Sequence, residues 1–131
     1  MSNVPADLQY TKTHEWVRTL TDGTVEIGIT DHAQHALGDL VFVEVPEGGR
    51  TVTLGEPCAV VESVKAASDV YSPVAGEITL GNPRLAAEPE AVNNDPYGTG
   101  WLMRLRPTKG APTADLMSPA EYQKLLQAEG G

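Results

Sequence analysis

Lysine is scarce in this chain, and its placement is uneven. The four are Lys12, Lys65, Lys109 and Lys124. Three lie near the ends, whereas Lys65 sits centrally in Glu62-Ser63-Val64-Lys65-Ala66-Ala67-Ser68-Asp69. Strand-like runs flank it, Cys58 to Val64 before and Asp69-Val70-Tyr71 after. Its neighbours are small, so the turn should present the amine to a modifying enzyme. A lone lysine is by default a solvated surface cation, and only its surroundings can raise it above that.

Other groups that could do chemistry are thinly placed. His32 and His35 stand three apart beside Asp31, a spacing that can serve a metal. They read more simply as exposed or capping residues, and no metal site is expected. His14 precedes the first strand without a visible partner for base catalysis. Cys58 is the single cysteine and lies in the apolar run Pro57-Cys58-Ala59-Val60-Val61, as a small buried hydrophobe would. The chain contains no phosphate-binding glycine loop, no nucleophile elbow and no Cys-x-x-Cys pair. Catalysis has no visible home, so the expectation is a non-enzyme.

At 131 residues the chain suits one domain, 1–131, with one core. The formal charge of −9 argues against nucleic acid as a partner and suits solubility or steering towards basic patches. No run is long and apolar enough to span a membrane. The first residues, Met1-Ser2-Asn3-Val4-Pro5-Ala6-Asp7, have neither a basic region nor an apolar core. A cytoplasmic location is expected, or a mitochondrial one if a transit peptide has been removed.

The elements that must position Lys65 are mostly strands. Glu15–Leu20 and Thr24–Ile29 alternate apolar and polar around Asp22-Gly23, a pair suited to a tight turn with positive φ at both central residues. Thr30 or Asp31 can cap a short helix ending at Gly38. Val41–Val45 is a strand, broken by Pro46-Glu47-Gly48-Gly49. Pro73 and Gly76 bracket a bend before Ile78. Asn82-Pro83 predicts a helix start with Pro83 at the first helical position. Trp101–Arg106 alternates again, and Tyr122, Leu125 and Leu126 recur at helical spacing after Ser118-Pro119, giving a C-terminal helix over about 118–128. Many short strands with a few helical pieces predict a mostly β barrel or sandwich.

The segment Glu62 to Glu77, reading ESVKAASDVYSPVAGE, closely resembles the lipoylation segment of the H-protein family of the glycine cleavage system. His14-Glu15-Trp16-Val17, Gly28 to Gln34, Leu37-Gly38-Asp39, Val41 to Glu44, and Asn93 to Gly98 with Gly100-Trp101-Leu102 resemble further blocks of that family, in its order. A biotin carrier would set methionines beside the lysine, whereas here the flanks are Val64 and Ala66.

The resemblance implies a barrel-sandwich hybrid of the lipoyl/biotinyl-carrier kind, with short helices, a C-terminal helix and the lysine at a hairpin tip. It implies lipoic acid in amide linkage to Lys65, framed by Glu62, Ser63, Val64, Ala66 and Asp69, taking the formal charge from −9 to −10. The implied partners are a pyridoxal-phosphate glycine decarboxylase, an aminomethyltransferase, a dihydrolipoyl dehydrogenase and the lipoate-attaching enzymes, with the carrier a monomer. The aminomethyl group would pass from the first enzyme to the second, and electrons to the third; a lipoyl relay to other enzymes is a further implied role. Glu15 matches a residue of the cleft that shelters the loaded arm, with Asp69 as a helper. Two departures stand out: the helix ends His35-Ala36-Leu37, so no second cleft histidine is carried over, and Pro83 is unusual.

Overall fold

The computed structural model describes residues 4–110 and 116–129, so Met1, Ser2 and Asn3 of the leader reading lie outside the described residues. Along the chain run β1 (Gln9–Tyr10), β2 (Glu15–Thr19), β3 (Val25–Ile29), α1 (Asp31–Leu37), β4 (Leu40–Glu44), β5 (Thr51–Val52), β6 (Pro57–Ser63), β7 (Ala67–Tyr71), β8 (Gly76–Gly81), α2 (Arg84–Ala87), α3 (Ala91–Asn94), β9 (Met103–Pro107) and α4 (Pro119–Ala128). Among the described residues the strands form two antiparallel sheets, ordered β1-β2-β3-β9-β8-β5 and β4-β6-β7. This is the mostly β, two-sheet architecture expected of a barrel-sandwich hybrid, with short helices and a C-terminal helix.

The sheets meet over Ile27, Val61, Val70, Ile78, Met103 and Leu105, all within one buried cluster that Leu85 and Val92 extend from the short helices. A second cluster gathers Leu8, Tyr10, Trp16, Tyr122 and Leu126, and so fastens α4 to β1 and β2. There the Tyr10 and Tyr122 rings stack 4.6 Å apart at 8°. The Trp16 indole lies across β3 opposite Gly28, where any Cβ would meet the ring at 2.7 Å.

Alternation in β3 suggests one solvated face, but all five of its residues are buried. The strand is interior to its sheet, and its one charge is paired across both neighbours. Glu26 faces Arg18 on β2 and Arg104 on β9 in register, with bonds of 2.7 and 3.0 Å. Opposed cross-strand charges at such positions support the sheet.

Several local expectations need correction. The β2–β3 turn is one residue longer than Asp22-Gly23 alone: Gly23 N–H bonds Leu20 C=O, Leu20 N–H bonds Thr24 C=O, and Gly23 takes φ 87° while Asp22 does not take a positive φ. This is the three-residue loop closed by a left-handed glycine, and Asp22 Oδ1 accepts from Thr24 N–H. Leu20 therefore falls outside the strand. Asn82 does accept from Arg84 N–H at 3.1 Å, but the helix proper begins at Arg84, with Pro83 already in helical conformation before it. Trp101 precedes β9 instead of opening it, because Gly100 is pressed against Ala91 and Val92 of α3 before the chain joins the sheet. The pairs β1 and β5 and the helix α3 carried no pattern long enough to read.

Candidate functional site

Lys65 stands at the tip of the β6–β7 hairpin. Glu62 pairs with Ala67, Ser63 N–H donates to Ala66 C=O at 2.8 Å, and only Val64 and Lys65 remain in the loop. Two-residue hairpin loops ordinarily require positive φ, which neither Val64 nor Lys65 adopts. The Ser63 hydroxyl substitutes for the missing turn geometry: Oγ accepts from the amides of Lys65 and Ala66 at 3.3 and 3.1 Å and donates to Ala66 C=O. Val64 is 85% exposed, and Lys65, Ala66 and Ala67 are exposed with it. The lysine stem runs beside Gly38, the left-handed residue that ends α1; a Cβ there would lie 3.7 Å from Lys65 Cε.

Beside the tip, β4 carries a bulge between Leu40 and Phe42, so Val41 is an extra residue and both Val41 and Phe42 face outward. Phe42 lies opposite Glu62. Thus Glu62 borders the tip on one side, while Ala67, Asp69 and Tyr71 share the outward face of β7 on the other.

That face of β7 leads to a cleft of about 410 Å³ lined by Thr11, Thr13, Glu15, Leu54, Tyr71 and Pro73, among others. Glu15 is 2% exposed. Its carboxylate accepts from the Thr11 hydroxyl at 2.6 Å, from the Thr13 hydroxyl, and from Tyr71 N–H at 3.3 Å. Burial raises its pKa above the ordinary glutamate value, and those three donors offset part of the rise. Among the described residues no cation forms an ion pair with it. Its charge is therefore desolvated and balanced only by neutral hydrogen-bond donors among the described residues.

The structure therefore brings Glu15 to a cleft and Lys65 to a tip, on one surface joined by β7. Asp69 lies between them, exposed, and is not part of the cleft wall. Thr11 and Thr13 escaped sequence reasoning because nothing local marks two threonines as carboxylate donors. The pair His32 and His35 does not converge: His35 turns to Asp31 at 3.4 Å, and His32 turns to His14 and Glu129.

The chain matches the glycine cleavage H-protein family over residues 8–129. It is 60% identical to the glycine cleavage system H protein of Halorhodospira halophila over 130 residues, 99% of this chain and 100% of that one. It is 57% identical to that of Nitrosospira multiformis, covering 97% and 98%. The crystal structure of a glycine cleavage system H protein from Mycobacterium marinum superposes with a TM-score of 0.85 at 41% identity, over 98% of this chain and 100% of that one. With its two-sheet fold, its hairpin lysine and similarity along nearly its whole length, the chain belongs to the glycine cleavage H-protein family, a carrier component of the glycine cleavage system.

Proposed function

We propose that Lys65 carries a lipoyl group in amide linkage, and that through it the chain takes the aminomethyl group of glycine from a pyridoxal-phosphate decarboxylase to an aminomethyltransferase and electrons to a dihydrolipoyl dehydrogenase. The carrying observation is Lys65 at an exposed two-residue tip whose backbone is fixed by Ser63. The residues present suit such a group. The amine projects from small exposed neighbours, and the same β7 strand that follows Lys65 leads to Tyr71 in the cleft wall, six residues on and at most roughly 20 Å away at strand rise.

When attached, that group supplies the sulfur chemistry; the chain itself supplies position. Ser63 holds the tip so that Lys65 points outward, and Glu62, Val64, Ala66 and Asp69 form the surface an attaching enzyme meets. Tethering gives a docked partner a high local concentration of its substrate. Glu15 offers a carboxylate for a protonated amine in a cleft partly closed to water.

The test is intact mass and peptide mapping after incubation with a lipoate ligase, lipoic acid and ATP. One lipoyl increment on Lys65, absent from Lys65→Arg, is expected. No increment on folded protein would overturn the proposal and leave an unmodified interaction module.

A further inference from the structure

His14, His32 and Glu129 meet where the lead-in to β2, α1 and the C-terminal end of α4 converge. Their ligand atoms all lie within 4.8 Å of one another. Glu129 Oε1 is 3.3 Å from His14 Nε2 and 4.0 Å from His32 Nε2, and the two imidazole centroids are 4.7 Å apart. Both histidine side chains are about four-fifths sheltered, and Glu129 is 41% exposed.

The setting of His14 goes beyond a surface ion pair. Among the described non-glycine residues it alone has a positive φ, 69°, a conformation that persists only when its surroundings hold it. Its N–H donates to Thr11 C=O at 3.2 Å and its C=O accepts from Thr30 N–H at 3.0 Å. Its ring Nδ1 is 2.8 Å from Tyr122 Oη, which is itself 2.7 Å from Thr30 Oγ1. Nδ1 is thereby occupied and Nε2 is aimed at Glu129. An outer hydrogen bond on one ring nitrogen, leaving the other for the ion, is the usual arrangement around a metal-bound histidine.

We infer that His14, His32 and Glu129 form a site for a divalent transition cation, zinc above all, which clamps the end of α4 to α1 and to the start of β2. Two imidazoles and one carboxylate, with a fourth position left to water, suit zinc and not the all-oxygen shells of calcium or magnesium. Tetrahedral zinc with bonds of about 2.0–2.1 Å sets its donors roughly 3.3 Å apart. His14 and Glu129 already stand at that spacing, and His32 needs to approach by on the order of 1 Å. Glu129 follows directly on the last residue of α4, where a small shift suffices.

The full chain, free of any histidine tag and stripped with a chelator, is titrated with zinc sulfate in competition with a chromogenic chelator. One zinc per chain is expected, with shifts confined to the His14 and His32 ring resonances. Glu129→Gln, His32→Ala and His14→Asn should each weaken binding by about tenfold or more; asparagine tolerates positive φ and spares the backbone. His35→Ala should bind as the parent does. Zinc should also raise the parent Tm, and this rise should vanish in Glu129→Gln. Glu129 is exposed at a helix end, so that variant carries the test even where a histidine variant folds poorly. No saturable binding, equal affinity in Glu129→Gln, or a loss seen only in His35→Ala would overturn the site.

Discussion

Glu15 is held by hydroxyl and amide donors while burial pushes its proton affinity up. The sign follows from linkage. A carboxyl whose pKa is raised by folding favours the native state most below its ordinary value, near 4.5, and that contribution is lost as pH rises through the raised pKa. In Glu15→Gln the loss disappears, so its Tm should rise relative to the parent's as pH goes from about 4 to about 7, checked by paired thermal melts across that range. If Lys65 bears the proposed arm and Glu15 holds its protonated amine, Glu15→Ala should speed decay of the aminomethyl group, followed as ammonia or formaldehyde release. An unchanged decay rate would remove Glu15 from that role. Ser63 has a different task. Ser63→Ala should cost about 1 kcal/mol, accelerate hydrogen exchange at the Lys65 and Ala66 amides, and slow lipoylation while leaving the target amine in place.

The β6–β7 hairpin was legible in sequence because short apolar runs bracket small residues, and because Ser63 to Asp69 belongs to a family block. What holds its tip was not, since a serine hydroxyl replacing a left-handed residue leaves no pattern of its own. The β2–β3 hairpin was found with the wrong loop, because Asp22-Gly23 fits either a two-residue or a three-residue turn and only the strand register distinguishes them. Two-residue pieces such as β1 and β5 are too short for periodicity to register. The cleft was partly legible: Glu15 came with the opening motif, whereas Thr11 and Thr13 reach it from the β1–β2 loop, where no pattern marks them, and Leu54 from the distant β5–β6 loop. Likewise the partner of His14 lies 108 residues away at Tyr122. At this scale Gly28 is the most exposed to test. Gly28→Ala would force the Trp16 indole off β3, and a loss of about 1–3 kcal/mol in urea denaturation is expected.

Two packed clusters divide the molecule's work. The larger, between the sheets, supports the hairpin that bears Lys65; the smaller, under α4, fastens the C-terminal helix across β1 and β2. The Ser118–Glu121 capping box starts that helix, and Tyr122 anchors it through Tyr10, Thr30 and His14. Tyr122→Phe keeps the stack but leaves Thr30 short of a partner, and should cost about 1–3 kcal/mol, read as a lower urea midpoint with an unchanged m-value. Across the whole chain there is a single thiol, Cys58, buried on β6 with Sγ 3.4 Å from Met103 Sδ and its pKa pushed up to about 12 by burial. At neutral pH it therefore stays a protonated thiol. A carrier whose arm cycles between dithiol and disulfide must not be trapped by its own scaffold through thiol–disulfide exchange, which only a thiolate initiates. By packing its one sulfhydryl into the core, the fold makes the protein an inert handle for the redox cargo proposed at Lys65. An aromatic disulfide reagent should accordingly find no reactive thiol in the native apoprotein and one after denaturation.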